Sequence, residues 1–142
     1  IMAADHPLAE KAAIRLRDCS GQAAVLPRAD TGVRQLLNVG LISRNTDLDI
    51  VAESNNQEFL QNYLTQEPVI SFQIPIALPP GMIENVAGVN NVVARPVDPS
   101  DVPAGILHVG QLKGRVLPVA AAKFLDTITS ELSNRYGADF DQ

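Results

Sequence analysis

The chain alternates short apolar runs with segments in which apolar residues recur every three or four positions. The first run, Ala23–Leu26, ends at Pro27, which fixes φ and has no N–H to give to a sheet. A second short run follows at residues 49–52. Between the two runs, apolar residues keep helical spacing over residues 33–41. This order predicts strand, polar loop, helix and strand, with the loop at residues 28–32 opening the helix.

The same order then repeats along the chain. Ser54 is followed three residues later by Gln57, which is typical of a capping box and predicts the start of a second helix. Residues 69–74 have the composition of a third strand. The apolar stripe of the second helix consists of Phe59, Leu60, Tyr63 and Leu64. Three strands joined by two helical crossovers predict an α/β fold with a parallel sheet.

Further strands are predicted at residues 1–4, 92–95 and 105–109. The prolines between residues 75 and 80 exclude a long helix there and leave room for one turn around residues 76–78. A last helix is predicted to begin at Pro118 and to end at Gly137, with residues 139–142 as a frayed tail. Its predicted buried face consists of Ala121, Phe124, Leu125, Ile128 and Leu132.

Composition narrows the class of protein. The 142 residues suffice for one domain with a core, and 46% apolar against 19% charged residues is a globular balance. A net charge of −5 argues against this segment gripping nucleic acid by itself. The single cysteine, Cys19, cannot form an internal disulfide, which favours a reducing cytoplasm. No apolar run reaches membrane-spanning length and no signal peptide opens the chain. The sequence therefore predicts a cytoplasmic domain with no membrane partner.

The loop after the first strand carries the main candidates for ligand binding. The carboxyl ends of parallel strands share one edge of a sheet, and helix N-termini there favour a small anion. Thr31 either binds a ligand through its hydroxyl or only caps the helix. Arg28 either pairs with an anionic ligand or is a solvated loop charge, and Gly32 is the third candidate of this loop.

The remaining candidates lie after the second and third strands. Ser54 occupies the matching corner, where capping alone would also account for it. Phe72 and Gln73 lie near the end of the third strand, with core packing as the alternative for Phe72. His6 and His108 have no spacing typical of a metal site or a catalytic triad. No cofactor, metal ion or catalytic activity is therefore predicted.

Several segments resemble the effector-binding domain of LysR-type transcriptional regulators. They are MAADHPLA at the start, LRDCSGQAAVLP, the stretch ESNNQEFLQNYLTQEPVISFQI, and VARPV followed by LPVAAAKFLDTI. The resemblance implies a two-subdomain fold like that of type 2 periplasmic binding proteins, with parallel or mixed sheets. Residues 5–93 would form subdomain II, and residues 1–4 with 94–142 would belong to an incomplete subdomain I.

The resemblance also implies a function. A small effector, expected to be a carboxylate or another anion, would bind between the subdomains, with a hydroxyl at Thr31 and with Phe72 and Gln73 facing the cleft. DNA would be bound only through a winged helix-turn-helix that lies outside this sequence, and the full protein would form dimers or tetramers. Two other classes stay open: a free solute-binding protein of the same architecture, and an α/β enzyme, for which no catalytic constellation is found.

Overall fold

A computed structural model describes residues 1–78, 82 and 90–137. The strands are β1 (Met2–Ala3), β2 (Ala23–Leu26), β3 (Asp49–Glu53) and β4 (Val92–Val93). The helices are α1 (Gly32–Ser43), α2 (Gln57–Gln66) and α3 (Val119–Tyr136), with 3-10 turns at Pro7–Glu10, Leu16–Cys19 and Pro75–Ala77. The chain divides into two compact units, residues 1–106 and 107–142.

The strands of the first unit form a mixed sheet. β2 runs parallel to β3, with Leu26 beside Glu53, and β1 is antiparallel to β4. Ile70 joins the two pairs, because it bridges Ala24 in parallel and Met2 in antiparallel sense. The strands predicted at residues 23–26 and 49–52 are confirmed, and those predicted at 1–4 and 92–95 are shorter, with two residues each.

The third strand predicted at residues 69–74 is wrong in its extent. It contributes one bridge at Ile70, and Ser71 N donates to Ile1 O at 2.9 Å. Residues 72–74 lie outside the ladder and lead into the turn at Pro75–Ala77. β1 ends at Ala3, and β2 pairs beyond Ala24 only with β3, so the alternating pattern of residues 71–74 is not realised as a strand.

α1 and α2 pack on opposite faces of the sheet because successive residues of β2 enter different cores. Ala24 and Leu26 belong to the core that includes Leu37 of α1. Val25 belongs to the core that includes Leu60 and Leu64 of α2. The two helices therefore enclose the parallel part of the sheet.

The start of α2 differs from the predicted capping box. Asn56, not Ser54, is the cap: its Oδ1 accepts from Phe59 N at 3.0 Å. Ser54 Oγ instead accepts from Asn56 N at 3.1 Å, which bends the chain two residues earlier. The helix therefore begins two residues later than the predicted cap, and the asparagine next to its first turn supplies the capping oxygen.

A buried carboxylate fixes the C-terminal end of α1 to the loop that follows β4. The Asp101 side chain is 1% exposed, and it accepts from Arg15 Nε and Nη2 and from Arg44 Nε, each at 2.8 Å. Leu16 N donates to it as well, at 2.9 Å. The hydrogen bond from Arg15 is the main reason that the pKa of Asp101 falls to about 2. Gly40 of α1 lies against the backbone oxygen of the same residue.

The segment before α3 corrects another prediction. Residues 105–109 form no strand, and Ile106 is 77% exposed. None of the described strands pairs with this segment, so its β propensity is not realised.

α3 begins after Pro118 and ends at Gly137, whose φ of 61° is the left-handed value predicted for that position. The predicted buried face of α3 is wrong: its aliphatic side chains are at most half-buried, and Phe124 is 67% exposed. Taken alone, the described part of the second unit, residues 107–137, contains this helix and an irregular segment but no second layer against which the helix could be buried. The predicted tail at residues 139–142 lies outside the described residues. Among the described helices, none is long and apolar enough to cross a membrane.

Candidate functional site

The loops that follow β2 and β3 meet at one edge of the sheet. Arg28 N donates to Asn55 Oδ1 at 3.0 Å, and Ser54 N donates to Leu26 O at 2.9 Å. Each loop leads directly into a helix, α1 or α2. The first amides of a helix have no partner inside it, and the helix dipole is positive at that end. Two helix N-termini are thus brought to the carboxyl edge of β2 and β3, as the repeated pattern predicted.

Arg34, in the first turn of α1, connects the ends of the two strands. Its side chain is 8% exposed. Nη1 donates to Pro27 O at 3.0 Å and to Glu53 Oε1 at 2.5 Å, while Nε donates to Asn38 Oδ1 at 3.0 Å. Because Pro27 follows β2 and Glu53 ends β3, this guanidinium sets the spacing between the two loops.

Thr31 is the N-cap of α1. Its Oγ1 accepts from Arg34 N at 3.4 Å and donates to Arg28 O at 2.9 Å. The capping alternative therefore describes its role within this structure. A ligand could still accept its hydroxyl hydrogen if the hydroxyl turned away from Arg28 O.

Arg28 and Gly32 lie on the open side of the same loop. The Arg28 side chain is 66% exposed, and its Nε is 3.7 Å from Oδ1 of the equally exposed Asp30. Gly32 is exposed, and a Cβ at this position would meet no atom within 4 Å. Nothing in the fold demands a glycine here, and the space beside the first turn of α1 is open.

The other predicted residues lie farther along the same edge or turn into the core. Ser54 is half-buried and holds Asn56 N, as described above. Phe72 packs against the core on the α1 face. Gln73 is half-buried. Since Ile70 is beside Ala24 in parallel register, Phe72 and Gln73 extend toward the edge where β2 ends.

Sequence reasoning missed Arg34 and Glu53, although one signal was available. Arg34 precedes Leu37 by three residues and Leu41 by seven, so it lies on the apolar stripe of α1. A charge on a core-facing stripe needs a partner, because burying an unpaired charge is costly. The first acidic residue at a neighbouring strand end is Glu53, which is the partner found.

The arrangement offers directed N–H donors at the start of α1. The cap at Thr31 satisfies Arg34 N, and the amides of Gly32 and Val33 are left to solvent or to a ligand. Among the described residues, no group of three His, Cys, Asp or Glu side chains is placed to hold a metal ion. The histidine of the first unit, His6, is buried and accepts from Leu8 N through Nδ1, far from these loops in sequence.

Comparison with known proteins identifies the family. A search of curated proteins finds no match to this chain. The family described as the LysR substrate binding domain matches residues 1–133 of the 142. Domains of that family have a periplasmic-binding-protein-like fold, with which the mixed α/β sheet is consistent. The chain belongs to the LysR substrate-binding domain family, the effector-binding domains of LysR-type transcriptional regulators.

Proposed function

We propose that this chain senses a small carboxylate or similar anion and thereby controls DNA binding by a helix-turn-helix domain outside this sequence. The observation that carries the proposal is the meeting of two strand–loop–helix corners through the Arg28 N–Asn55 hydrogen bond. Each corner supplies free amides and the positive end of a helix dipole to the same small region. Ligands of open α/β sheets bind at this edge.

Each predicted effector-binding residue contributes a different kind of group to the proposed site. Gly32 supplies a backbone N–H and open space, and Arg28 supplies an exposed positive charge. Thr31 and Ser54 supply hydroxyls that already order their own loops, so they contribute by shaping the site and by switching partners when a ligand arrives. Gln73 follows the bridge at Ile70 and supplies a side-chain amide to the same edge of the sheet. Phe72, next to it, supplies apolar contact.

The proposed architecture follows from the family. Residues 5–93 form subdomain II, residues 1–4 and 94–142 belong to subdomain I, and the effector lies between the subdomains. The full regulator is cytoplasmic and assembles as a dimer or tetramer. Effector binding shifts the relative positions of the subdomains, which changes how the DNA-binding domains of the oligomer are presented.

A thermal-shift screen tests the ligand class. The chain would be melted with small carboxylates and with neutral and cationic compounds of the same size, because a ligand that binds only the folded state raises Tm. We expect several carboxylates to raise Tm and the neutral analogues to have no effect. A screen in which only cations or neutral compounds stabilise the chain would refute the anionic site.

A second measurement tests the regulatory role. In the full-length protein, a carboxylate that raises Tm should also change affinity for a DNA fragment from upstream of the regulator's own gene. We expect a change of about fivefold or more, the usual size of an allosteric coupling. A compound that binds tightly and leaves DNA affinity unchanged would favour a solute-binding role instead.

A further inference from the structure

We infer that Arg34, through its Nη2 nitrogen, is the residue that holds the carboxylate of the effector. The inference rests on the proposed function and names the group that anchors the ligand. Arg34 was absent from the residues predicted from the sequence, which placed the positive charge at Arg28.

The hydrogen bonds of Arg34 leave one side of its guanidinium unused. An arginine has five N–H donors in a fixed plane. Nε uses its donor on Asn38, and Nη1 uses both of its donors, on Pro27 O and Glu53. The two donors on Nη2 are bonded to no described residue.

Nη2 also keeps contact with solvent although the side chain as a whole is buried. Within the described residues, the side-chain atoms that are both sealed from solvent and unpaired are Gln57 Nε2 and Ser71 Oγ. Nη2 is not one of them, so part of the 8% of the Arg34 side chain that is exposed belongs to this nitrogen. Nη2 is bonded to the same carbon as Nη1, which donates to Pro27 O and Glu53, so its free donors have access to solvent close to the ends of the two strands.

This geometry is better suited to an anion than that of Arg28. Three hydrogen bonds already fix the Arg34 guanidinium, so a ligand does not have to order it on binding. The Arg28 side chain is two-thirds exposed, and an ion pair at such an exposed site gains little. Charge-assisted hydrogen bonds from a partly buried arginine are stronger and more directional.

Glu53 sets the charge that the site accepts. Its carboxylate pairs with Nη1, so the guanidinium and Glu53 together carry no net charge. One carboxylate of the ligand would use the donors that remain on Nη2. A second negative group on the same ligand would be repelled if it lay beside Glu53. The class of ligand is therefore a monocarboxylate, or an acid whose other charged group lies away from Glu53.

NMR of the guanidinium groups tests the inference directly. Formate and acetate, the smallest monocarboxylates, would be titrated into the 142-residue chain while the arginine side-chain and backbone signals are followed. We expect the Arg34 signals to shift with saturation, together with the amide of Gly32. If the Gly32 amide shifts and the Arg34 guanidinium does not, the anion binds at the helix end and the role of Arg34 is overturned. If neither shifts, the anionic site itself is refuted.

Two matched variants sharpen the result. Glu53→Gln removes the competing charge but keeps an oxygen for Nη1, so we expect formate to bind about twofold to fivefold tighter. Glu67→Gln, an equal change of charge at the exposed opposite end of α2, should leave binding unchanged. Equal tightening in both variants would mean a general charge effect and would overturn the inference. Arg34→Lys keeps the charge, loses the planar fork and should weaken formate binding about tenfold or more.

Discussion

Gly40→Ala is the substitution for which the structure makes the sharpest forecast. Gly40 is buried in α1, and a Cβ there would lie 2.6 Å from the backbone oxygen of Asp101 and 2.8 Å from Leu16 Cδ1. The first of these atoms cannot retreat easily, because Arg15 and Arg44 hold the Asp101 side chain. The loop would have to move as a whole.

Two opposing effects decide whether Gly40→Ala raises or lowers the free energy of unfolding. Alanine is favoured over glycine in a helix interior by about 1 kcal/mol. Overpacking a close contact costs about 1–3 kcal/mol, and here one contact is with backbone. Because backbone relaxes less easily than a side chain, we take the upper half of that cost, about 2–3 kcal/mol. After subtraction of the gain of about 1 kcal/mol, Gly40→Ala should lower the free energy of unfolding by about 1–2 kcal/mol, which corresponds to a fall in Tm of roughly 3–10 °C for a domain of this size.

Gly32→Ala is the matched control, because it makes the same change in the first turn of the same helix. A Cβ at Gly32 meets nothing within 4 Å, so this variant should be as stable as the wild type or more stable by up to about 1 kcal/mol. Urea denaturation of both variants gives the comparison. Equal stability of the two would refute the close approach of α1 to the loop that carries Asp101.

Three further predictions concern single side chains. Thr31→Val removes the cap of α1 and should lower the free energy of unfolding by about 1 kcal/mol, whereas Thr31→Ser keeps the hydroxyl and should not. If Thr31→Val is less stable but binds formate as the wild type does, Thr31 is a cap and not a ligand-binding residue. The pKa of Asp101 is lowered to about 2 in the folded state by Arg15, so this stabilisation is present above the unfolded pKa of 3.8 and lost as pH falls toward 2. Urea midpoints against pH should show that loss in the wild type, and a flatter profile in Asp101→Asn. Burial raises the pKa of Cys19 to about 11, so iodoacetamide should label it far more slowly in the native chain than in urea, and equal rates would contradict its burial.

The elements whose contacts are local could be predicted from the sequence. β2, α1, β3 and α2 follow from apolar spacing and turn residues, and the meeting of their loops follows from the parallel order of the strands. The third strand and the strand at residues 105–109 could not be predicted in the same way. A segment becomes a strand only when another strand lies beside it and pairs with it. Composition shows that a segment has the propensity for a strand but does not identify the strand that would pair with it.

The sequence predicted where the candidate site lies better than it predicted what its side chains do. Thr31 and Ser54 lie at the two corners as expected, but their hydroxyls serve the loops first. Arg34 was not among the residues predicted from the pattern. Its role depends on Glu53, nineteen positions away in sequence, and such a pair becomes visible only when β2 and β3 lie side by side.

The pairing of β1 with β4 determines how the first unit folds. Met2 is beside Val93, so this pair closes nearly the whole unit into one loop, whereas β2, α1, β3 and α2 make contacts within short stretches of chain. Closing a long loop costs entropy before any contact repays it, so the local elements should form first and the β1–β4 pair last. If unfolding follows the reverse order, it begins at this two-residue ladder. Hydrogen exchange should therefore be faster at Val92 and Val93 than at the middle of β2, although all of these residues are buried.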